Sequence, residues 1–261
     1  MIDLKDQEII EKARKAFDED FARNNYMEKR TGDDEHLKAI LNCLNIAPES
    51  KILDLGTGRG YLAFPLAKMN NDSEVTGLDI AVKTLAVNRE KASQMGLTNL
   101  NFVDYNGVNF PFERNMFDYV VTRYALHHFP DINKTFEEIS RVVKPGGMFF
   151  ISDPTPNEND DIRFIDTFMQ MKDDGHVKFY TKDQFMELAY RHNFILEDSF
   201  SSEIRFPSDR TEKYLKIADK IHKNIIDGYN IDVRNGQIYI TEQVVNLLFI
   251  KQQSYQINTA K

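Results

Sequence analysis

The feature that most constrains the fold is an alternation of short β-rich and helical segments that begins at Lys51. The run KILDLG has the composition of a buried strand, and four further strands are predicted at EVTGLDI, LNFVDY, FDYVVTRY and MFFISDP. Helical spacing of apolar residues separates most of these runs. Such alternation predicts an α/β protein with a central, mostly parallel sheet and helices on both faces.

The rest of the chain falls into three predicted parts. Residues 1–48 form an N-terminal helical segment, and 49–261 form the main domain. Beyond residue 153 the alternation stops, but apolar residues keep helical spacing in the polar segment 154–180. So long an insertion after a strand predicts a lid over a site. The alternative is a helix permanently packed on the core. A helix from Thr181, a strand, a helix over about 209–226 and a final strand complete the prediction.

Composition and charge exclude several classes of protein. Hydrophobic residues make up 41% of the chain and charged residues 28%, as in ordinary globular domains. The formal net charge of −8 argues against nucleic acid as a partner. No apolar run approaches the ~20 residues of a membrane span, and the charged N-terminus does not resemble a secretory signal. A single cysteine, Cys43, fits a reducing compartment, so we expect a cytoplasmic location.

A glycine-rich motif follows the first predicted strand, in the run Asp54-Leu55-Gly56-Thr57-Gly58-Arg59-Gly60. Glycines let a backbone turn tightly and approach a ligand, and the helix that follows would point free N–H groups at that ligand. Asp79 ends the second strand, where a carboxylate can accept hydrogen bonds from both hydroxyls of a ribose. The spacing G-x-G-x-G differs from the G-x-G-x-x-G of dinucleotide-binding sheets.

This motif resembles motif I of the class I S-adenosylmethionine (SAM)-dependent methyltransferases. Supporting segments follow in register at Asp79, at Asp104-Tyr105-Asn106, around FDYVVTRYALHHFPD and in RVVKPGGMFFISD. The resemblance is strong over residues 50–153, and more loosely the whole chain looks like the ubiquinone/menaquinone biosynthesis methyltransferase-like (type 11) group. It implies a Rossmann-like, seven-stranded, mostly parallel sheet and SAM as the cofactor.

The resemblance also implies individual roles at the cofactor. The motif glycines would line its methionine part, and Asp54 would contact its amino group directly or through water. Asp79 would hold the ribose hydroxyls, with Ile80 against the adenine. The implied set from the first two strands is Asp54, Gly56, Thr57, Gly58, Gly60, Asp79 and Ile80.

Five more residues complete the implied cofactor site. Asp104 would accept a hydrogen bond from the adenine amine, beside Tyr105 and Asn106. Arg123, after the fourth strand, would offer its backbone carbonyl near the methionyl end. Tyr26 either closes over the cofactor or docks the first helix, and the sequence leaves both alternatives open.

Histidines supply the candidate catalytic groups. His128 follows the fourth strand and His176 lies in the predicted lid. Either could take a proton from an acceptor, although methyl transfer needs a base only when the acceptor must lose one. The alternative is that they simply pack beneath the site. Because the adjacent His127 and His128 point in different directions and the chain has one cysteine, no metal site is expected.

The sequence therefore predicts a SAM-dependent methyltransferase that acts on a small, partly apolar molecule, as a monomer or homodimer. Two alternatives remain open: a non-catalytic or regulatory SAM-binding protein, and a methyltransferase that acts on a protein. The intact glycines and both strand-end acids favour an enzyme.

Overall fold

The strand–helix alternation builds the central sheet of the protein. The computed structural model describes residues 2–22, 33–208, 211–218 and 220–253. Its parallel strands are β1 (Lys51–Leu55), β2 (Glu74–Asp79), β3 (Leu100–Asp104), β4 (Phe117–Arg123) and β5 (Val143–Thr155). Its remaining strands are β6 (Phe194–Ser208), β7 (Asp232–Arg234) and β8 (Gln237–Lys251). The order across the sheet is β3-β2-β1-β4-β5-β8-β6. Strands β2 and β3 lie on one side of β1, and β4 lies on its other side, so the strand order reverses between β1 and β4.

The prediction of a mostly parallel sheet is confirmed, with one addition. β8 runs antiparallel between β5 and β6, and the three-residue β7 pairs with β8 outside the seven-strand order. No local sequence pattern predicts β7, because a strand of three residues is too short to show a period. It is defined only by its pairing with β8 in a hairpin. Ligands of open α/β sheets bind where the strand order reverses, which here lies at the carboxyl ends of β1 and β4.

Helices cover both faces of the sheet. They are α1 (Leu4–Ala22), α2 (Asp34–Leu44), α3 (Ala63–Met69), α4 (Val82–Gln94), α5 (Ile132–Val142), α6 (Phe164–Gln170), α7 (Lys182–Arg191), α8 (Thr211–Ala218) and α9 (Lys223–Gly228), with a 3₁₀ turn at Leu126–His128. Side-chain capping explains where two of these helices begin. Asp33 accepts hydrogen bonds from the first turn of α2, and Thr181 forms a capping box with Gln184 at α7.

The apolar residues form two cores, one on each face of the sheet, and a third core beyond its edge. Adjacent residues of β1 belong to different cores on the two faces of the sheet. Ile52 packs in the core with α2 and α3, whereas Leu53 packs in the core with α5 and α7. Among the described helices, none is both long and apolar enough to cross a membrane.

The third core gives the predicted lid a different environment from the one expected. β6 and β8 extend past β5 as a long antiparallel pair, from Phe194↔Lys251 to Ser208↔Ile238. Helices α6, α8 and α9 pack on this extension, and the predicted helix over about 209–226 is thus two shorter helices. Three apolar residues of the predicted lid, Phe164, Ile165 and Phe168, are buried in this third core, and none of the three lines the cavity described below. That segment 154–180 moves as a lid stays a prediction.

Candidate active site

The three motif glycines have different surroundings. All have left-handed backbone conformations, with φ of +68° at Gly56, +48° at Gly58 and +79° at Gly60. A Cβ on Gly56 would lie 2.5 Å from Cβ of Ala125, and one on Gly60 would lie 2.6 Å from the Phe64 ring. A Cβ on Gly58 would meet no atom within 4 Å. Gly56 and Gly60 therefore permit close packing, whereas Gly58 faces open space.

Asp79 ties the glycine loop to the end of β2. Its Oδ2 accepts a hydrogen bond from the backbone N–H of Gly58 at 2.8 Å, and its Oδ1 accepts one from Ala81 at 2.9 Å. The N–H of Gly56 donates to the carbonyl of Leu78 at 2.8 Å. The carboxylate is buried, which raises its pKa above the ordinary value. Each oxygen keeps a lone pair for a further donor.

A cavity opens at the reversal of strand order, next to this loop. It contains about 1150 Å³ of empty space when its open mouth is included. Its lining residues are Ile10, Phe17, Gly56, Gly58, Arg59, Tyr61, Asp79, Ile80, Thr84, Tyr105, Gly107, Arg123, Tyr124, Ala125, His128, Phe129 and Pro130.

The N-terminal helix α1 covers one side of the cavity through Ile10 and Phe17. Asp18 on the same helix accepts a hydrogen bond from the backbone N–H of Lys83 at 3.0 Å, which caps the first turn of α4. Close docking needs a residue without a side chain, because a Cβ on Gly107 would lie 2.8 Å from Ile10. The helix is therefore part of the cavity wall.

Arg123 provides a cation in another part of the cavity wall. Its guanidinium carbon lies 3.8 Å from the ring centroid of Tyr61 and 3.9 Å from that of Tyr124, a cation–π arrangement on both sides. Tyr124 itself has a left-handed backbone with φ of +53°. Burial raises the pKa of the Tyr124 hydroxyl, so it is protonated at neutral pH. The wall thus presents one fixed positive charge between two aromatic rings.

The geometry and the known relatives point to the same protein class. The family model of a methyltransferase domain matches residues 46–194, which is more than half of the chain. The chain belongs to this methyltransferase family. YcgJ of Bacillus subtilis, named a methyltransferase, is 27% identical over 233 residues that cover 83% of this chain and 91% of YcgJ. Demethylmenaquinone methyltransferase of Bacillus cytotoxicus is 36% identical over 111 residues, 42% of this chain and 47% of that enzyme.

Solved structures agree on the fold of this methyltransferase. The crystal structure of YcgJ matches with a TM-score of 0.74 at 21% identity, over 85% of this chain and 100% of YcgJ. A Bacillus halodurans protein, BH2331, matches with a TM-score of 0.76 at 20% identity, over 84% of this chain and all of that protein. The predicted Rossmann-like class I fold and the predicted class of SAM-dependent methyltransferase are confirmed.

Part of the predicted set of cofactor-binding and catalytic residues lines the cavity. The predicted residues that line it are Gly56, Gly58, Asp79, Ile80, Tyr105, Arg123 and His128. The predicted residues that lie outside its lining are Asp54, Thr57, Gly60, Asp104, Asn106 and His176. Tyr26 lies outside the described residues, so both of its alternatives stay predictions.

The Asp54 side chain holds the glycine loop through hydrogen bonds. It is buried, and its Oδ2 accepts hydrogen bonds from the Thr57 hydroxyl at 2.7 Å and from the N–H of Ala63 at 3.1 Å. Burial raises the pKa of this carboxyl group to about 7. It therefore holds the turn into α3, and its contact with the amino group of a cofactor stays a prediction.

The residues after β3 have local partners. The Asp104 side chain is 56% exposed, and its Oδ1 lies 3.6 Å from Nη2 of Arg89. Asn106 accepts hydrogen bonds through Oδ1 from the N–H groups of Val108 and Asn109, as in a capped turn. Their contacts with adenine stay predictions, whereas Tyr105 between them lines the cavity.

The adjacent histidines have separate surroundings. His128 lines the cavity, whereas His127 is buried and its Nδ1 lies 2.6 Å from Oδ1 of Asp153. His176 is buried, with Nε2 at 3.1 Å from Oδ1 of Asp166. Burial lowers the pKa of both His127 and His128 well below the ordinary value. In the part of the chain that the structure describes, no three His, Cys, Asp or Glu side chains are arranged to hold a metal ion.

Sequence reasoning missed several cavity residues. Arg59 and Tyr61 stand within or beside the glycine motif, and Tyr124 follows Arg123, so proximity to the motif was an available signal. Ile10 and Phe17 belong to the apolar face of a predicted amphipathic helix. The spacing of such a face does not show which surface the helix covers.

Proposed function

We propose that the cavity binds SAM and that the enzyme transfers its methyl group to a small molecule bound in the same cavity. The observation that carries this proposal is Gly58. It lines the cavity, its backbone N–H donates to Asp79, and it alone of the three motif glycines has open space where a Cβ would stand. A loop built in this way admits a ligand against its backbone.

The residues present fit the chemistry of this cofactor. Asp79 has acceptor capacity left for the two ribose hydroxyls. Ile80, Tyr105 and Phe17 provide apolar surface for an adenine ring. When bound, the cofactor supplies a methyl group on a cationic sulfur, which is electrophilic. The task of the protein is then to orient the acceptor in line with that methyl group and to exclude water.

A small and partly apolar acceptor is supported by the remaining walls. Tyr61, Tyr124, Phe129 and Pro130 also line the cavity. Demethylmenaquinone is the compound named for one relative, so it belongs in any panel of acceptors. We also propose a cytoplasmic location, on the ground of the single cysteine, and a monomeric or homodimeric enzyme.

The Gly58→Val variant tests the cofactor site. Its side chain would occupy the space into which the backbone now opens, so calorimetry should show SAM affinity reduced at least about tenfold, or ~1.4 kcal/mol. Gly96→Val is the matched control. Gly96 also has a positive φ, +67°, and a Cβ there would also meet no atom within 4 Å, but it lies at the end of α4 outside the cavity lining. Equal affinity in the two folded variants would reject this cofactor site.

A further inference from the structure

Three side chains of the cavity wall form one assembly, the arginine clamp of Arg123, Tyr61 and Tyr124. The guanidinium carbon of Arg123 lies 3.8 Å from the ring centroid of Tyr61 and 3.9 Å from that of Tyr124. A guanidinium carries five N–H donors, all in its own plane. Because the rings pack against its faces, the clamp fixes the plane in which Arg123 donates hydrogen bonds. The family resemblance implies a role for the backbone carbonyl of Arg123 but none for this side chain.

Both tyrosines of the clamp contact the first turn of α2, which lies outside the sheet. The Tyr61 hydroxyl donates a hydrogen bond to the carbonyl oxygen of Asp33, the residue that caps α2. The Tyr124 hydroxyl lies 3.5 Å from Nδ1 of His36. The backbone N–H of His36 donates in turn to Oδ1 of Asp33 at 3.0 Å. One helical turn therefore supports both rings of the clamp.

A buried amide orients the His36 ring. Nε2 of His36 lies 2.9 Å from Oδ1 of Asn246, and the Asn246 side-chain nitrogen donates to Oγ of Ser202 at 2.9 Å. The Asn246 oxygen therefore accepts from Nε2–H, which leaves Nδ1 of His36 as the acceptor for the Tyr124 hydroxyl. Burial lowers the pKa of His36, so the ring is neutral at neutral pH and can keep this arrangement.

The backbone of Tyr124 has an uncommon conformation that supports the clamp. Its φ is +53°, in the left-handed region that bulky residues rarely adopt. Its N–H donates to the carbonyl of Ser152 on β5 at 2.8 Å, which holds the strained turn. Such strain persists where the surrounding structure fixes it, and it is concentrated at binding and catalytic sites. The turn places the Tyr124 ring against the guanidinium of the residue immediately before it.

We infer that the Arg123 side chain binds the carboxylate of the methionine part of SAM, and that His36 is a positioning residue that acts through Tyr124. This inference rests on the proposed function. The planar fork of a guanidinium matches the two oxygens of a carboxylate, and such pairs form strong charge-assisted hydrogen bonds. Five donors allow Arg123 to hold a carboxylate beside any contact that it makes within the protein.

The cofactor would then be held at both ends. In its proposed role Asp79 accepts hydrogen bonds from the ribose hydroxyls, and Arg123 holds the carboxylate at the other end of the molecule. The sulfur atom of the cofactor lies between these two groups. Fixing both ends limits the directions in which the methyl group can point, which is the positioning that methyl transfer requires.

The first test measures binding and needs no acceptor. Calorimetry compares S-adenosylhomocysteine with S-adenosyl-3-thiopropylamine, the same compound without its carboxyl group. The wild type should prefer S-adenosylhomocysteine at least about tenfold, because a charge-assisted pair is lost with the carboxyl group. Arg123→Met should abolish this preference by weakening the binding of S-adenosylhomocysteine. Arg59→Met, which removes another arginine of the lining, is the matched control and should keep most of the preference.

The outcomes of this comparison are decisive. A wild type without the preference, an unchanged preference in Arg123→Met, or a larger loss in Arg59→Met would overturn the inference. If the wild type does not bind S-adenosylhomocysteine at all, the proposed function itself is rejected. Arg123→Lys covers a failure of Arg123→Met to fold. Lysine keeps the charge but lacks the planar fork, so the preference should fall, and a full wild-type preference in this variant would also overturn the inference.

The positioning role of His36 is tested with the same two ligands. His36→Ala and Tyr124→Phe should each weaken the binding of S-adenosylhomocysteine about threefold and leave that of the amine unchanged, because the clamp keeps its rings but loses its support. Tyr119→Phe is the matched control. Tyr119 also lies on β4, but its hydroxyl accepts from the N–H of Ala47 at 3.2 Å and it lies outside the cavity lining. A loss shared equally by both ligands, or an equal change in Tyr119→Phe, would overturn the positioning role.

Discussion

Replacing Asp54 with asparagine should make the folded protein more stable above neutral pH. Asparagine can still accept the hydrogen bonds from Thr57 and Ala63, but it carries no buried charge. The folded pKa of Asp54 is raised from 3.8 to about 7, so its stabilising contribution is complete below about pH 4 and is lost as the pH rises through 7. The difference corresponds to at most about 4 kcal/mol.

Chemical denaturation at several pH values measures this effect. The free energy of unfolding of Asp54→Asn should exceed that of the wild type at about pH 8, and the excess should shrink toward about pH 4. Asp72→Asn, at an exposed site between α3 and β2, is the control and should change stability little at any pH. A pH-independent difference between Asp54→Asn and the wild type would contradict the buried, protonatable carboxyl group.

Asp79→Ala should remove discrimination between SAM and its 2′-deoxy analogue. The wild-type carboxylate would make charge-assisted hydrogen bonds to the ribose, and their loss should cost about 1.5–3 kcal/mol in affinity for SAM. The same change releases the N–H of Gly58, so the glycine loop also loses its anchor. The expected result in calorimetry is a weaker complex that binds both ligands equally.

The Asp104→Ala variant distinguishes the role of Asp104 from that of Asp79 in ligand discrimination. Asp104 pairs in register with Asp79 at the end of the neighbouring strand, but it is more exposed and lies outside the cavity lining. This variant should keep the preference for SAM over the 2′-deoxy analogue. Retained discrimination in Asp79→Ala would reject the ribose role.

The parts of the site that could be predicted are those set by local chemistry. Glycines at alternate positions after a buried strand require a tight turn, and all three do have positive φ. Asp79 could be placed because the ends of parallel strands meet at one edge of the sheet. Neither inference needs knowledge of what packs against the loop.

The rest depends on contacts between distant segments. Gly56, Gly58 and Gly60 are alike in sequence, and only the structure shows that Ala125 packs against Gly56 and Phe64 against Gly60 whereas Gly58 has open space beside it. His127 and His128 are likewise adjacent, and only the structure shows that His127 contacts Asp153 whereas His128 lines the cavity.

The apolar residues of the predicted lid show the same limit. Helical spacing marked the apolar residues of this segment, and three of them, Phe164, Ile165 and Phe168, are buried. The period does not tell which surface buries that face. Here the extension of β6 and β8 buries it, away from the cavity, because those strands continue past the end of β5.

Transfer of a labelled methyl group tests the central claim most directly. The enzyme is incubated with methyl-labelled SAM, the panel of small aromatic acceptors and demethylmenaquinone in its reduced form, and the products are separated by mass. We expect label in a small molecule, matched one to one by S-adenosylhomocysteine, in the wild type and in Gly96→Val but not in Gly58→Val. Label found instead in protein or nucleic acid, or equal transfer by Gly58→Val, would contradict it.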